Sequence, residues 1–251
     1  MSEPVLRAVG IGKRFGGLVA VDRVDLDLFP SQIHAVIGPN GAGKSTFLAT
    51  LAGDLAPSSG RVSFQGRDIT DASVQARTRM GIGRTYQRSA VIPNCLALDM
   101  ARIAALHASG SFFKLLKPIA ALTETTRRAR EALARVGLSR RENVDTNVLS
   151  HGEKRRLEIA AVLALDPQIL LLDEPLAGLG PDECNDVIEL VADLKKTCAI
   201  ILIEHDIDFV FSVADRITVL DDGRVIASGD PAQVRGSAAV QQAYLGADGE
   251  V

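Results

Sequence analysis

Gly38-Pro39-Asn40-Gly41-Ala42-Gly43-Lys44-Ser45-Thr46 is the stretch whose reading decides the fold. It fits G-x-x-x-x-G-K-[ST], in which glycines let the backbone curl until several N–H groups point at one anion. Residues 32–37 before it read as an apolar strand. Residues 46–52 after it read as a helix, with Gly53 where a C-terminal stop belongs. The helix start adds partial positive charge to the loop, so the expected ligand is phosphate. Lys44 is placed to reach the β- and γ-phosphates of a nucleotide, and the Ser45 hydroxyl to ligate Mg2+. A glycine turn can meet the pattern by chance, but the flanking strand and helix argue against that reading.

Working outward, 251 residues with 47% hydrophobic content suit one α/β domain, or a core with an inserted subdomain. A net charge of −3 offers no basic footprint for nucleic acid. Cys95, Cys184 and Cys198 show no metal spacing and cannot all pair, which suggests a reducing, cytosolic setting. No apolar run approaches the roughly 20 residues of a membrane span; the longest, such as residues 198–203, are strand-sized. No signal peptide is visible, so any membrane role is expected to be peripheral.

Val24, Leu26 and Leu28 alternate with Asp25 and Asp27, the mark of a half-buried strand, and residues 61–64 form another after Ser58-Ser59-Gly60. Together they predict a small antiparallel sheet flanking the loop. Residues 169–172 and 199–203 are continuous apolar runs, as expected of parallel strands buried on both faces. Residues 217–227 read as a hairpin turning at Gly223. Between about 89 and 160 the strand signals stop. Residues 97–106 are helical in composition, Ser109-Gly110-Ser111 marks a loop, and Ala129, Ala132, Leu133 and Val136 fall on one helix face before Gly137. The prediction is therefore a parallel-sheet core over about 1–88 and 161–251, interrupted by a helical insertion over about 89–160. Phe112, Phe113, Leu115 and Leu116 beside Lys114 and Lys117 suit either partner contact or local packing.

Several residues gather around the expected nucleotide. The strand at 169–172 ends in Asp173 and Glu174, and ligands of open α/β sheets lie at the carboxyl ends of strands. Asp173 is placed to hold Mg2+ through water, and Glu174 to orient or deprotonate the attacking water. Ser150 and Glu153 fit a capping box, which both explains a helix start and builds an anion-binding end. His205 follows a second buried strand, where it could contact the γ-phosphate. Gln87, after Gly83-Arg84-Thr85-Tyr86, offers an amide to Mg2+ or water.

In this order the residues resemble the nucleotide-binding subunits of ATP-binding cassette (ABC) transporters. The resemblance spans nearly the whole chain: Walker A at Gly38 to Thr46, the glutamine loop at Gln87, the signature at Leu149 to Glu153, Walker B with its glutamate at Asp173 and Glu174, and the switch histidine at His205. It implies a P-loop NTPase (RecA-like) parallel-sheet core with a flanking antiparallel β-subdomain and an inserted α-helical subdomain. It implies ATP and Mg2+ as cofactors. Catalysis would fall to Glu174, His205 and Gln87, and the metal to Ser45, Gln87 and Asp173. The nucleotide would be bound by Phe15, Gly38, Pro39, Asn40, Gly41, Ala42, Gly43, Lys44, Ser45 and Thr46, with Ser150 and Gly152 acting on the nucleotide of a second subunit. Phe15, before Gly16-Gly17, matches the aromatic that stacks on adenine, although an ordinary strand-end residue has the same appearance.

Within the family, finer details resemble the ATPases of branched-chain amino acid importers: Arg14-Phe15-Gly16-Gly17-Leu18, the run from Gly152 to Ala160, Ala177-Gly178-Leu179, the run from Glu204 to Val210, and Ala243-Tyr244-Leu245-Gly246. The alternatives within the family are urea or amide import and lipopolysaccharide export; a soluble non-transport ABC ATPase fits less well. The implied partners are transmembrane permease subunits, a second ABC ATPase (a heterodimer favoured over a homodimer) and, indirectly, an extracytoplasmic substrate-binding protein, with no nucleic acid. The implied location is peripheral, on the cytoplasmic face of the cell membrane. Two positions depart from the family pattern. His151 stands where the signature usually has glycine, and Gly180 stands where the D-loop usually has aspartate, which leaves room for an asymmetric pair.

Overall fold

The order of elements alternates strand and helix after an initial hairpin, which builds a mixed α/β molecule. A computed structural model describes residues 3–87, 90–108 and 123–245. The Phe112–Leu116 cluster and the Ser109–Ser111 loop lie outside the described residues.

Strands β1 (Leu6–Phe15), β2 (Leu18–Leu28), β4 (Ser59–Phe64) and β5 (Arg67–Asp68) form an antiparallel sheet in the order β2-β1-β4-β5. The second sheet has the order β10-β9-β3-β8-β7-β6. Here β3 is Ile33–Ile37, β6 Ile82–Arg84, β7 Ile169–Asp173, β8 Ala199–Ile203, β9 Arg216–Asp221 and β10 Arg224–Gly229. Its strands pair in parallel from β9 to β6, while β9–β10 is the expected hairpin. That hairpin turns at Asp222 (φ 43°) and Gly223 (φ 77°), the left-handed pair a two-residue turn needs. The sequence pattern marked the alternating half of β2 and the hairpin. It did not mark β1, whose periodicity is broken by register shifts after Ala8, Ile11 and Lys13, nor the three-residue β6.

The parallel strands are buried on both faces, and alternate residues feed two different cores. Val36, Ile169, Leu171, Ile201 and Ile203 pack with the antiparallel sheet and with Phe47, Leu48 and Leu51 of helix α1 (Lys44–Ala52). Ile33, Ala35, Leu170, Leu172, Ile200 and Leu202 pack on the other side. There they meet α5 (His151–Leu163) and α6 (Pro181–Leu194), together with α3 (Ala97–Ala108) and α4 (Thr123–Arg135). Leu133 of α4 and Ala97 of α3 thus share a buried cluster with the central sheet. Each fully buried Leu or Ile contributes about 1.5–3 kcal/mol by leaving water.

Two polar groups are locked inside this frame. Arg77 of α2 (Val74–Met80) is buried and donates to the carbonyls of Thr50, Leu51, Ile69, Thr70 and Ala72. It thereby closes the carboxyl end of α1 against the antiparallel sheet. His34 of β3 lies between the Asp27 carbonyl (Nδ1, 3.1 Å) and the Thr218 hydroxyl (Nε2, 2.8 Å). The carbonyl can only accept, so Nδ1 carries the proton. Burial pushes the imidazole down to about 4.

A group depressed in the folded state is protonated more readily in the unfolded chain between its two pKa values. Stability from His34 is therefore present above about pH 6.5 and is lost as pH falls toward 4. We expect wild-type unfolding free energy to drop by about 2 kcal/mol more than that of His34→Gln between pH 7 and pH 5. Denaturant titrations at both pH values check this, and equal pH slopes would contradict it.

Candidate active site

The loop that precedes α1 is shaped by close approaches of backbone. Gly38 has φ 148°, and a Cβ there would lie 2.0 Å from the Leu220 carbonyl oxygen. Gly43 has φ 94°, and a Cβ there would lie 2.2 Å from the Ala20 carbonyl oxygen. Only glycine fits either place. Pro39, Asn40, Gly41 and Ala42 complete the curl, with the Ala42 N–H donating to Pro39. Lys44 is 6% exposed, and its Nζ donates to the carbonyls of Gly38 (2.7 Å) and Pro39 (2.9 Å). Burial pushes this ammonium below its ordinary value, against the pull of the Glu174 and Asp173 carboxylates. Thr46 lies in the first turn of α1, and its carbonyl accepts from the Thr50 hydroxyl at 2.9 Å.

Asp173 ends β7, and its Oδ1 faces the Ser45 hydroxyl at 3.5 Å. Its other oxygen, Oδ2, accepts from Arg84 at 3.1 Å. Burial raises the Asp173 carboxyl, opposed first by the Arg84 charge. A hydroxyl and a single carboxylate make an all-oxygen donor set suited to Mg2+, which takes one or two protein ligands and fills its sphere with phosphate and water. Among the described residues no cluster of three or more His, Cys, Asp or Glu forms a self-sufficient metal cage.

Glu174 follows directly, with φ 47°, a left-handed conformation costly for a side-chain-bearing residue. Its N–H donates to the Ile203 carbonyl at 2.9 Å, and its Oε2 accepts from Gln87 Nε2 at 2.8 Å. His205 leaves the neighbouring strand β8 with its side chain 62% exposed. Beneath it Glu204 is fully buried and accepts from the N–H groups of Leu176 (2.8 Å) and His205 (3.0 Å). Burial raises the Glu204 carboxyl. Phe15 is 47% exposed at the end of β1, with Lys13 Nζ 5.2 Å from its ring centre. The β2 strand of that hairpin touches the loop where Ala20 meets Gly43.

The predicted capping box at α5 is present in full. Ser150 Oγ accepts from the Glu153 N–H at 3.1 Å, and the Glu153 side chain accepts from the Ser150 N–H at 3.0 Å. This helix end already holds an anion, the carboxylate of Glu183. Its Oε1 accepts from Ser150 Oγ and from the Gly152 N–H, both at 2.9 Å. Those two bonds, with one from the Gly180 N–H, hold the carboxyl below its usual range. A Cβ at Gly152 would lie 2.7 Å from the Glu183 carboxyl carbon. His151 opens α5 in an exposed position, and Gly180 caps α6.

The structure thus brings Ser45 to Asp173 and Gln87 to Glu174, and sets His205 on the adjacent strand. Ser150 and Gly152 face Glu183 instead. Arg84, Arg155, Glu158, Glu183 and Glu204 also build the site, although no local spacing singles them out.

A family profile described as "ABC transporter" matches residues 21–177, and one described as "Branched-chain amino acid ATP-binding cassette transporter" matches residues 224–250. The chain belongs to the ABC transporter family as an ATP-binding subunit, and as such it is an ATPase built on the P-loop NTPase fold. It is 39% identical to the high-affinity branched-chain amino acid transport ATP-binding protein LivG of Escherichia coli K12, over 98% of this chain and 99% of that one. BraF of Pseudomonas aeruginosa, which carries the same description, is 37% identical with the same coverage. The ADP conformation of MJ1267, an ATP-binding cassette of an ABC transporter, superposes with a TM-score of 0.87 at 29% identity, covering 98% of this chain and all of that one. No helix among the described residues is long and apolar enough to cross a membrane.

Proposed function

We propose that this chain powers import of branched-chain amino acids, hydrolysing ATP at a dimer interface beneath transmembrane permease subunits. The observation that carries the chemistry is the pairing of Ser45 with Asp173 and of Gln87 with Glu174, at the carboxyl ends of parallel strands beside Lys44. In this reading the N–H groups of Gly38 to Ser45 and the Lys44 ammonium bind the phosphates, and Thr46 continues that N-terminal turn. Ser45, Asp173 and Gln87 would hold Mg2+, which when bound neutralises charge on the phosphates. Glu174 orients the attacking water and takes its proton, and His205 contacts the γ-phosphate edge. Phe15 stacks on adenine.

Ser150 and Gly152 serve the nucleotide of a second ATPase, which requires that the Glu183 carboxylate leave them. An aspartate is missing at Gly180, and this favours two different ATPases in the working pair. A peripheral position on the cytoplasmic face of the membrane, with an extracytoplasmic binding protein supplying substrate, completes the assembly. The substrate assignment is supported by the names of LivG and BraF and by the branched-chain profile over residues 224–250.

The test is uptake by the complex reconstituted in liposomes with ATP inside. We expect saturable uptake of leucine or isoleucine that disappears without ATP. ATP-dependent uptake of a sugar or an amide, with none of a branched-chain amino acid, would overturn the substrate.

A further inference from the structure

Arg155 lies in the second turn of α5, 8% exposed, among backbone carbonyls from distant segments. Its Nη2 donates to the carbonyls of Asp173 (2.7 Å) and Glu174 (2.8 Å), and its Nε to that of Pro175 (3.1 Å). Its Nη1 donates to the Tyr86 carbonyl (3.0 Å) and to Glu158 Oε2 (2.9 Å). All five N–H groups of the guanidinium are thus used. The second oxygen of Glu158 accepts from the Ala90 N–H at 2.9 Å. One ion pair on α5 therefore grips three consecutive carbonyls around Glu174, and also the Tyr86 carbonyl just before Gln87 and the Ala90 N–H three residues after it.

The contacts have a specific consequence. Glu174 is held at φ 47°, a conformation that persists only where its surroundings over-determine it. Three backbone hydrogen bonds anchor this residue: its N–H donates to the β8 carbonyl of Ile203, and its carbonyl accepts from the Ala177 N–H and from Arg155. Its carboxylate meets Gln87, whose flanks the same ion pair fixes. Losing the brace lets both side chains drift while the loop around Lys44, which Arg155 does not touch, keeps its shape.

We propose that Arg155, with Glu158, is a positioning residue for hydrolysis that sets the geometry of Glu174 against Gln87 without touching the loop around Lys44 that is assigned to the phosphates. The proposal rests on the assignment of Glu174 as the base. Because α5 begins at Ser150, the brace also joins this base to the helix end assigned to the other nucleotide of the dimer.

The experiment measures single-turnover ATP hydrolysis and ATP affinity in the assembled transporter. It compares wild type, Arg155→Lys, Glu158→Gln, Glu174→Gln and the Arg155→Lys/Glu174→Gln double variant. Arg155→Lys keeps the charge but has at most three donors for five acceptors. We expect its rate to fall about 10- to 100-fold with ATP affinity within about twofold of wild type, the scale set by small misplacements of reacting groups. Glu158→Gln should change in the same direction by less. In the Glu174→Gln background Arg155→Lys should add little, since a positioning residue acts through the group it positions. An unchanged rate in both Arg155→Lys and Glu158→Gln overturns the proposal, as does a full additional loss on top of Glu174→Gln. If Arg155→Lys fails to assemble, Glu158→Gln decides: a wild-type rate there refutes the brace. Near-normal turnover by Glu174→Gln would instead remove the base assignment beneath it.

Discussion

Glu174→Gln is expected to bind ATP as tightly as wild type and to hydrolyse it about 10²–10⁴-fold more slowly, roughly 3–5 kcal/mol of barrier. Glutamine has nearly the same shape. Its amide oxygen can accept from Gln87 as Glu174 Oε2 does at 2.8 Å, and its N–H can still reach the Ile203 carbonyl. What it cannot do is take a proton from water. The loop around Lys44 is untouched, so the loss should appear in rate and not in affinity, a split that marks an interaction needed only in the transition state. Phosphate release and nucleotide titration on the same preparation separate the two. Turnover close to wild type would remove Glu174 from the base role.

Lys44→Ala is expected to lose ATP binding itself. The ammonium is almost fully enclosed and rests on the Gly38 and Pro39 carbonyls, 2.7 and 2.9 Å away, in the curl where the phosphates are assigned. Charge-assisted hydrogen bonds are worth about 1.5–3 kcal/mol each, so removing two phosphate contacts weakens ATP by about 10²–10⁴-fold. The fold should tolerate the change, because Ala is a good helix former at the start of α1 and the curl itself is set by Gly38 and Gly43. Calorimetric titration with ATP, alongside a thermal melt, checks both parts. Tight nucleotide retention by a folded Lys44→Ala would contradict the assignment of the loop.

The parts legible in the sequence were those written in local pattern. The glycine loop, the continuous apolar strands ending at Asp173 and Ile203, the Ser150–Glu153 capping box and the turn at Gly223 each depend on neighbours a few residues apart. Strand β1 was hidden because three register shifts break its alternation, and β6 because three residues carry no period. The buried arginines were hidden for another reason. Arg77 and Arg155 sit in helices as ordinary basic residues, and only carbonyls brought in from other segments by the fold give them their places. The same holds for Glu183, whose carboxylate reaches Ser150 across 33 residues of chain. The helix end at Ser150 was readable as an anion site, whereas its intramolecular occupant was not.

The measurement that tests the central claim most directly is co-purification of this chain from gently solubilised membranes of its native cell, with bound proteins identified by mass. The account predicts recovery with polytopic permease subunits and a second, different ATPase. Recovery in the soluble fraction with ribosomes or DNA, and no permease, would contradict it.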